Sequence, residues 1–239
     1  MESIDCGFPT IELDALPAVT ADQMREVDRL MIEELGIDLP RMMENAGANL
    51  ASLAIQVFGP RTVCVLAGSG GNGGGGLTAA RHLANRGVAV TVALSDDEAS
   101  LSPVARQQLD ILRRIDLDLA EDPGPANLVI DALIGYSLHG APRGRAAELI
   151  RWANATGDPV LSLDLPSGLD ATSGEASEPC VHATATMTLA MPKVGLRAAR
   201  AYVGRPYIAD ISVPAVVWGR IGITVPTLFG RSPIVELTG

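Results

Sequence analysis

Apolar residues recur along this chain with two periods, and the switches between them mark out its elements. Thr20-Ala21-Asp22-Gln23 reads as a capping box opening a helix. Its apolar positions Met24, Val27, Leu30, Met31 and Leu35 share one face, and Gly36 ends it. A second helix is predicted from about Pro40 to Phe58, with Met43, Ala46, Leu50, Leu53, Ala54 and Val57 as its buried stripe and Gly59-Pro60 as a stop. The rhythm then shortens. Thr62–Ala67 reads as a strand followed by a glycine tract, Leu77–Arg86 as a helix, and Val88–Leu94 as a second strand. Ser102–Arg114 is predicted helical, with Ser102 as cap and Pro103 in the first turn. Leu128–Leu133 is a third strand, Arg145–Ala155 a helix and Pro159–Leu163 a fourth strand, with Ala185–Ala190 and Tyr207–Val213 as further strands.

Continuous apolar strands alternating with helices specify an α/β protein with a mainly parallel sheet covered on both faces. Residues 1–18 carry prolines and acids without periodicity and read as an extended arm. Residues 19–239 read as a single domain, without internal repeat or linker. A chain of 239 residues buries roughly 70–75% of its unfolded surface, enough for a full core without staples.

Composition narrows the partners. Net charge is −10, which argues against nucleic acid held through its phosphates. Ten acids fall in residues 1–38 against Arg25 and Arg29 alone, so the remainder is close to neutral and a small anionic ligand is compatible with it. The cysteines Cys6, Cys64 and Cys180 are odd in number and lack metal-ligand spacing, and Cys64 lies in an apolar run as a buried thiol would. A reduced, cytoplasmic protein is expected. No run reaches the length of a membrane span, and the N-terminus with Glu2 and Asp5 has no signal-peptide charge pattern. Seventeen of the eighteen cations are arginine; the one lysine is Lys193, a compact ammonium in a sequence that otherwise uses guanidinium.

In such sheets ligands sit outside the carboxyl ends of the strands, and three strand ends carry chemistry. The first, Gly68 to Gly76, holds seven glycines in nine residues. Placed after a strand and before a helix, it is a candidate phosphate cradle. Gly68-x-Gly70-x-x-Gly73 also matches the dinucleotide fingerprint, with Asp96 as a possible ribose acceptor. A P-loop is disfavoured, because Leu77-Thr78 follows where a lysine is required. The second strand end runs from Asp131 through Gly140, and the third from Asp164 to Asp170. If these strands are neighbours, Asp131 and Asp164 approach, and two carboxylates about 5 Å apart repel by about 3 kcal/mol. Either one carboxyl keeps its proton or a cation lies between them; alternatively, Asp164 and Ser167 only tie their turn. A triad of Ser167, His139 and Asp164 is conceivable but lacks a nucleophile elbow. His82 and His182 read as structural or solvated.

Together, the opening helix with Asp28, Met43-Glu44-Asn45-Ala46-Gly47, the glycine tract, Asp131 to Gly135, Asp164 to Asp170 and Pro192-Lys193-Val194-Gly195 resemble the NAD(P)H-hydrate epimerase family, the YjeF N-terminal domain, from Val19 to Pro214. The resemblance implies a Rossmann-like three-layer α/β/α sandwich, usually homodimeric, acting on hydrated NADH or NADPH at C6 of the nicotinamide ring. It implies one potassium ion held by Asn72, Asp131 and Ser167. The substrate site it implies comprises Gly71, Asn72, Gly73, Gly74 and Gly75; Gly135, Tyr136, Ser137, Leu138, His139, Gly140 and Ala141; and Asp164. Lys193 falls on the family's Pro-Lys motif, and Asp164 is the candidate acid/base. The chain departs from the family loop where Gly71 replaces an asparagine and Gly75 an aspartate. The rival reading is therefore a non-catalytic nucleotide-binding protein on the same scaffold. A dehydrogenase using Asp96 and a pure interaction module follow it.

Overall fold

The structure, a computed structural model, describes residues 7–239; Cys6 and the acids Glu2 and Asp5 lie outside the described residues. Helix α1 (Ala21–Arg29) opens on the expected capping box, the Thr20 hydroxyl accepting from the Gln23 amide and the Gln23 side chain accepting from the Thr20 amide. It runs on through a π-helical turn at Leu30–Glu34. Helix α2 (Leu39–Phe58) is capped by Asp38, carries Pro40 in its first turn and ends on Gly59 at φ 55°. There a residue without Cβ takes the left-handed turn at no steric cost.

Strand β2 (Thr62–Ala67) matches expectation to the residue; β1 (Thr10–Glu12) precedes it, so the acidic arm contributes an edge strand, and Leu13 and Leu16 behind it are buried. Helix α3 (Gly71–Ala84) is the main correction: the glycine tract is not a loop but the first two turns of the helix expected at Leu77–Arg86. Glycine is a poor helix former, yet nothing larger fits where this helix descends onto the sheet. A Cβ on Gly73 would lie 1.7 Å from the Gly68 carbonyl oxygen, and one on Gly76 would lie 2.4 Å from the Ala132 side chain.

The remaining elements follow in order: β3 (Ala89–Leu94), α4 (Pro103–Arg114) with Ser102 as its cap, β4 (Asp118–Leu119), β5 (Leu128–Ala132), α5 (Gly144–Ala155), β6 (Val160–Leu163) and β7 (Ala185–Leu189). After them come α6 (Val194–Ala198), α7 (Arg200–Val203), β8 (Arg205–Ala209), α8 (Ala215–Arg220) and β9 (Ile234–Thr238). The strand expected at Tyr207–Val213 thus starts earlier and stops at Ala209. Asp210 bonds the Ser212 amide at 2.6 Å, and Ser212 sits at φ 64°, which turns the chain off the sheet.

Among the described residues, nine strands form one sheet in the order β1-β9-β8-β7-β6-β5-β2-β3-β4, parallel throughout except for the β8–β9 pair. Leu50, Leu53, Leu77, Leu83, Leu109 and Leu112 of α2, α3 and α4 pack on one face, and Leu149, Ile150 and Ala153 of α5 on the other, completing three layers. Among the described residues, no helix is long and apolar enough to cross a membrane.

Candidate active site

From β2 the chain runs outward to β3 and β4, then returns to β5 on the other side of β2. That reversal splays the connections apart at the carboxyl ends of β2 and β5 and leaves a crevice there. Four strand ends converge on it: β2 leading into α3, β5 into Leu133–Ser137, β6 into Asp164–Ser167 and β7 into Leu189–Lys193. Within it lies a cavity of about 150 Å³, smaller than the roughly 300–1,000 Å³ of a site that swallows a whole drug-sized ligand. It has room for one ring, with the rest of a larger ligand left at the mouth.

The structure sorts the residues expected here into three groups. Gly71, Asn72 and Gly75 from α3, Gly135, Tyr136 and Ser137 after β5, and Asp164 with Lys193 line the cavity. Asp131 and Ser167 lie buried beneath it, and Gly73 and Gly74 are packed inside the helix contact. Leu138, His139, Gly140 and Ala141 continue away from the cavity wall, His139 being exposed. The Ser167 hydroxyl bonds Asp131 at 2.5 Å and accepts from the Ile134 amide at 2.8 Å. A buried hydroxyl so engaged, with an exposed histidine, disposes of the triad. Asp96 accepts from the Ser95 hydroxyl and lines a surface hollow beside β3 and β4 that is separate from this cavity.

Asp164 follows β6 at φ 68°. Aspartate is among the few residues that enter this region, and a strained backbone at a cavity wall persists only where its surroundings over-determine it. They do so here. The Tyr136 amide donates to Oδ2 at 3.1 Å, the Leu189 amide to Oδ1 at 3.3 Å, and the Lys193 ammonium forms an ion pair with Oδ1.

Lys193 is fully buried. Besides Asp164 it reaches the Leu189 carbonyl at 2.8 Å and the Thr188 hydroxyl at 3.4 Å. Three acceptors meet the three N–H bonds of an ammonium, a set that the five donors of a planar guanidinium would overfill. The solitary lysine of the sequence has its physical reason.

Strands β5 and β6 are neighbours, as the approach of Asp131 and Asp164 requires, and each carboxyl has its own partners. Asp131, fully buried, accepts from the Ser162 hydroxyl at 2.8 Å, the Ser167 amide at 2.9 Å and the Leu133 amide at 3.3 Å, besides the Ser167 hydroxyl. Burial pushes its carboxyl above the usual range, opposed by these bonds, chiefly from Ser167. Asp164 is relieved by Lys193, a cation from the chain itself.

Sequence reasoning named Asp28 within a motif but missed it as a site residue. It lies on the cavity wall with Met24, Met42 and Met43. Asp28 falls one turn beyond Met24 and so shares its face, the one signal that pointed to it. The Tyr136 hydroxyl donates to it. Burial raises the Asp28 carboxyl from its ordinary value, with the Tyr136 bond and the charge of Lys193 pulling the other way.

A mainly parallel sheet with a ring-sized, carboxylate-bearing cavity at its switch point defines a small-molecule site of an α/β protein. The chain belongs to the family described as YjeF-related protein N-terminus, whose model matches residues 40–195. It is 47% identical over 225 residues to an NAD(P)H-hydrate epimerase of Dehalogenimonas lykanthroporepellens, covering 90% of each chain. It is 36% identical over 208 residues to an NAD(P)H-hydrate epimerase of Truepera radiovictrix, covering 86% of this chain and 94% of that one. The crystal structure of yeast ynu0 superposes with a TM-score of 0.81 at 24% identity, covering 93% of this chain and all of the yeast one, and shares the fold.

Proposed function

We propose that this protein is an isomerase that epimerises hydrated NADH and NADPH at C6 of the nicotinamide ring, converting the R form to S as a repair of damaged nucleotide. The observation that carries the reading is Asp164, held by Lys193 and two backbone amides on the wall of a cavity the size of one ring. The family membership and the relatives named NAD(P)H-hydrate epimerase support it.

The hydroxyl-bearing carbon adjoins the ring nitrogen, so the centre is a hemiaminal. It inverts when the nitrogen lone pair expels the hydroxyl and water returns to the other face. Asp164 Oδ2 is the proton acceptor within hydrogen-bond reach of a ring in this cavity. At the mouth, the first N–H groups of α3 are free of intrahelical acceptors and suit the nucleotide's phosphates. The Gly71 and Gly75 departures leave Asn72, Asp164 and Lys193 in place on the cavity wall, and the non-catalytic alternative gains nothing from the fold. Purified protein mixed with the R epimer of hydrated NADPH should form the S epimer faster than buffer does. Equal rates would end the reading.

The implied potassium site has a suitable donor set. Asp131, Ser167 and the Asn72 side-chain carbonyl would offer hard oxygens to such an ion, while the Asn72 amide nitrogen, buried without a hydrogen-bond partner, is a donor that suits an acceptor on the substrate. The ion would balance the buried charge of Asp131 and hold the two loops at fixed height; the chemistry on the ring is left to the protein's carboxyls. Potassium at a hundred times its dissociation constant should stabilise the fold by about 2.7 kcal/mol, a rise in melting temperature of roughly 5–10 °C. Asp131→Asn should lose that increment. Melts in potassium and in choline chloride at equal ionic strength decide the point, and identical curves would remove the ion from the proposal.

The described cysteines, Cys64 and Cys180, are buried free thiols, which suits a reducing cytoplasm.

A further inference from the structure

Inversion at C6 needs a proton delivered to the leaving hydroxyl on one face of the ring and a proton removed from water on the other. Asp164, pinned by its backbone conformation and by Lys193, serves only one of these positions. A second carboxyl reaches the same cavity from a different part of the chain. Asp28 arrives on α1, whose place is set by backbone bonds between Val19 and the Pro192–Val194 segment: the Val19 amide to the Pro192 carbonyl at 2.9 Å, and the Val194 amide to the Val19 carbonyl at 3.0 Å. Tyr136 ties the two acids together, its amide donating to Asp164 and its hydroxyl to Asp28.

We propose that Asp28 is a second catalytic carboxyl, the acid that protonates the departing hydroxyl while Asp164 acts as base toward the incoming water. This rests on the epimerase reading and deepens it. The Asp28 carboxylic acid gives its proton to the C6 hydroxyl. The C6–O bond breaks, water leaves and the ring-nitrogen lone pair forms the C=N bond of an iminium. A water molecule attacks C6 from the opposite face, loses a proton to the Asp164 carboxylate, and the C=N pair returns to nitrogen. One proton exchanged with solvent at the mouth resets both groups, and the reverse reaction swaps their roles.

The environment of Asp28 suits an acid. Burial favours its protonated form, and the groups that act on it from neighbouring elements are Tyr136, Lys193 and Asp164. Arg25, one turn earlier on α1, acts on the Tyr136 hydroxyl. A carboxyl kept protonated by burial beside a second carboxyl in the same cavity is a recurrent way of supplying an acid within one site.

The test uses the full chain and the R epimer of hydrated NADPH. Asp28→Asn keeps an acceptor for the Tyr136 hydroxyl, so the fold and KM should persist while kcat falls about 100-fold or more. Tyr136→Phe keeps the acid and removes the bond that stabilises its ionised form. The alkaline limb of the kcat profile, where Asp28 loses its proton, should therefore move to higher pH. Unchanged kcat in Asp28→Asn, a loss confined to KM, or an alkaline limb unmoved in Tyr136→Phe would overturn the assignment. The parent protein in the same assay separates the two levels. If it epimerises and Asp28→Asn matches it, the second acid alone is wrong; if the parent does not epimerise, both proposals fall.

Discussion

Asp164→Asn should abolish accelerated epimerisation and also lower the melting temperature, and the two losses have separate causes. The rate falls because an amide cannot take a proton from water, a contribution of roughly 10²–10⁴-fold for a positioned acid/base. Stability falls because Lys193, with no exposure to solvent, loses its counter-charge, and breaking one side of a buried ion pair costs about 3–5 kcal/mol. The backbone is not the problem, since asparagine tolerates the left-handed conformation that Asp164 occupies at φ 68°. Adding Lys193→Met should therefore restore most of the melting temperature and none of the rate, because the buried charge is removed with its partner. Melts by circular dichroism alongside the epimer assay separate these effects. Turnover at the parent rate in Asp164→Asn would strip this residue of its role; a double variant no more stable than the single one would place the cost elsewhere.

Gly73→Ala should disrupt the fold as severely as any single methyl can. Its new Cβ would fall 1.7 Å from the Gly68 carbonyl oxygen and 2.6 Å from the carbon that bears it. These are backbone atoms at the end of the central strand β2, with no rotamer to move aside. The cost should meet or exceed the roughly 1–3 kcal/mol of ordinary overpacking. Gly71→Ala, two residues earlier, is the control: its Cβ meets only the Met43 methyl at 3.7 Å, an ordinary contact. Loss of unfolded-state freedom should then stabilise the protein by up to about 1 kcal/mol. Denaturant titration of both reads the contrast, and two equally stable variants would refute the account of the glycine tract as a packing surface.

That account shows where sequence reasoning stopped. Helix α2 and strand β2 were legible almost to the residue, because their signals are local: a proline in the first turn, an apolar stripe, a glycine stop and a run of apolar strand residues. The glycine tract misled for the same reason. Judged locally, seven glycines in nine positions make a loop. Only the approach of α3 to Gly68, Ala132, Leu163 and Met43 turns them into helix. Strands β1 and β4 escaped because they are only three and two residues long, and the five-residue β9 because it becomes a strand by pairing with β1 and β8, both remote from it in the chain.

The candidate site divides along the same line. The alternating architecture, the strand ends where chemistry gathers and the family to which their motifs point are all legible in the primary structure, since each is written in contiguous residues and in the period of the side chains. Tertiary structure alone decided that Lys193 answers Asp164, that Asp131 is sealed under hydroxyl and amide donors, and that Asp28 reaches the cavity. Those pairings join residues 29, 36 and 108 positions apart, and only the folding of the whole sheet brings such segments within the few ångströms over which ion pairs and hydrogen bonds act.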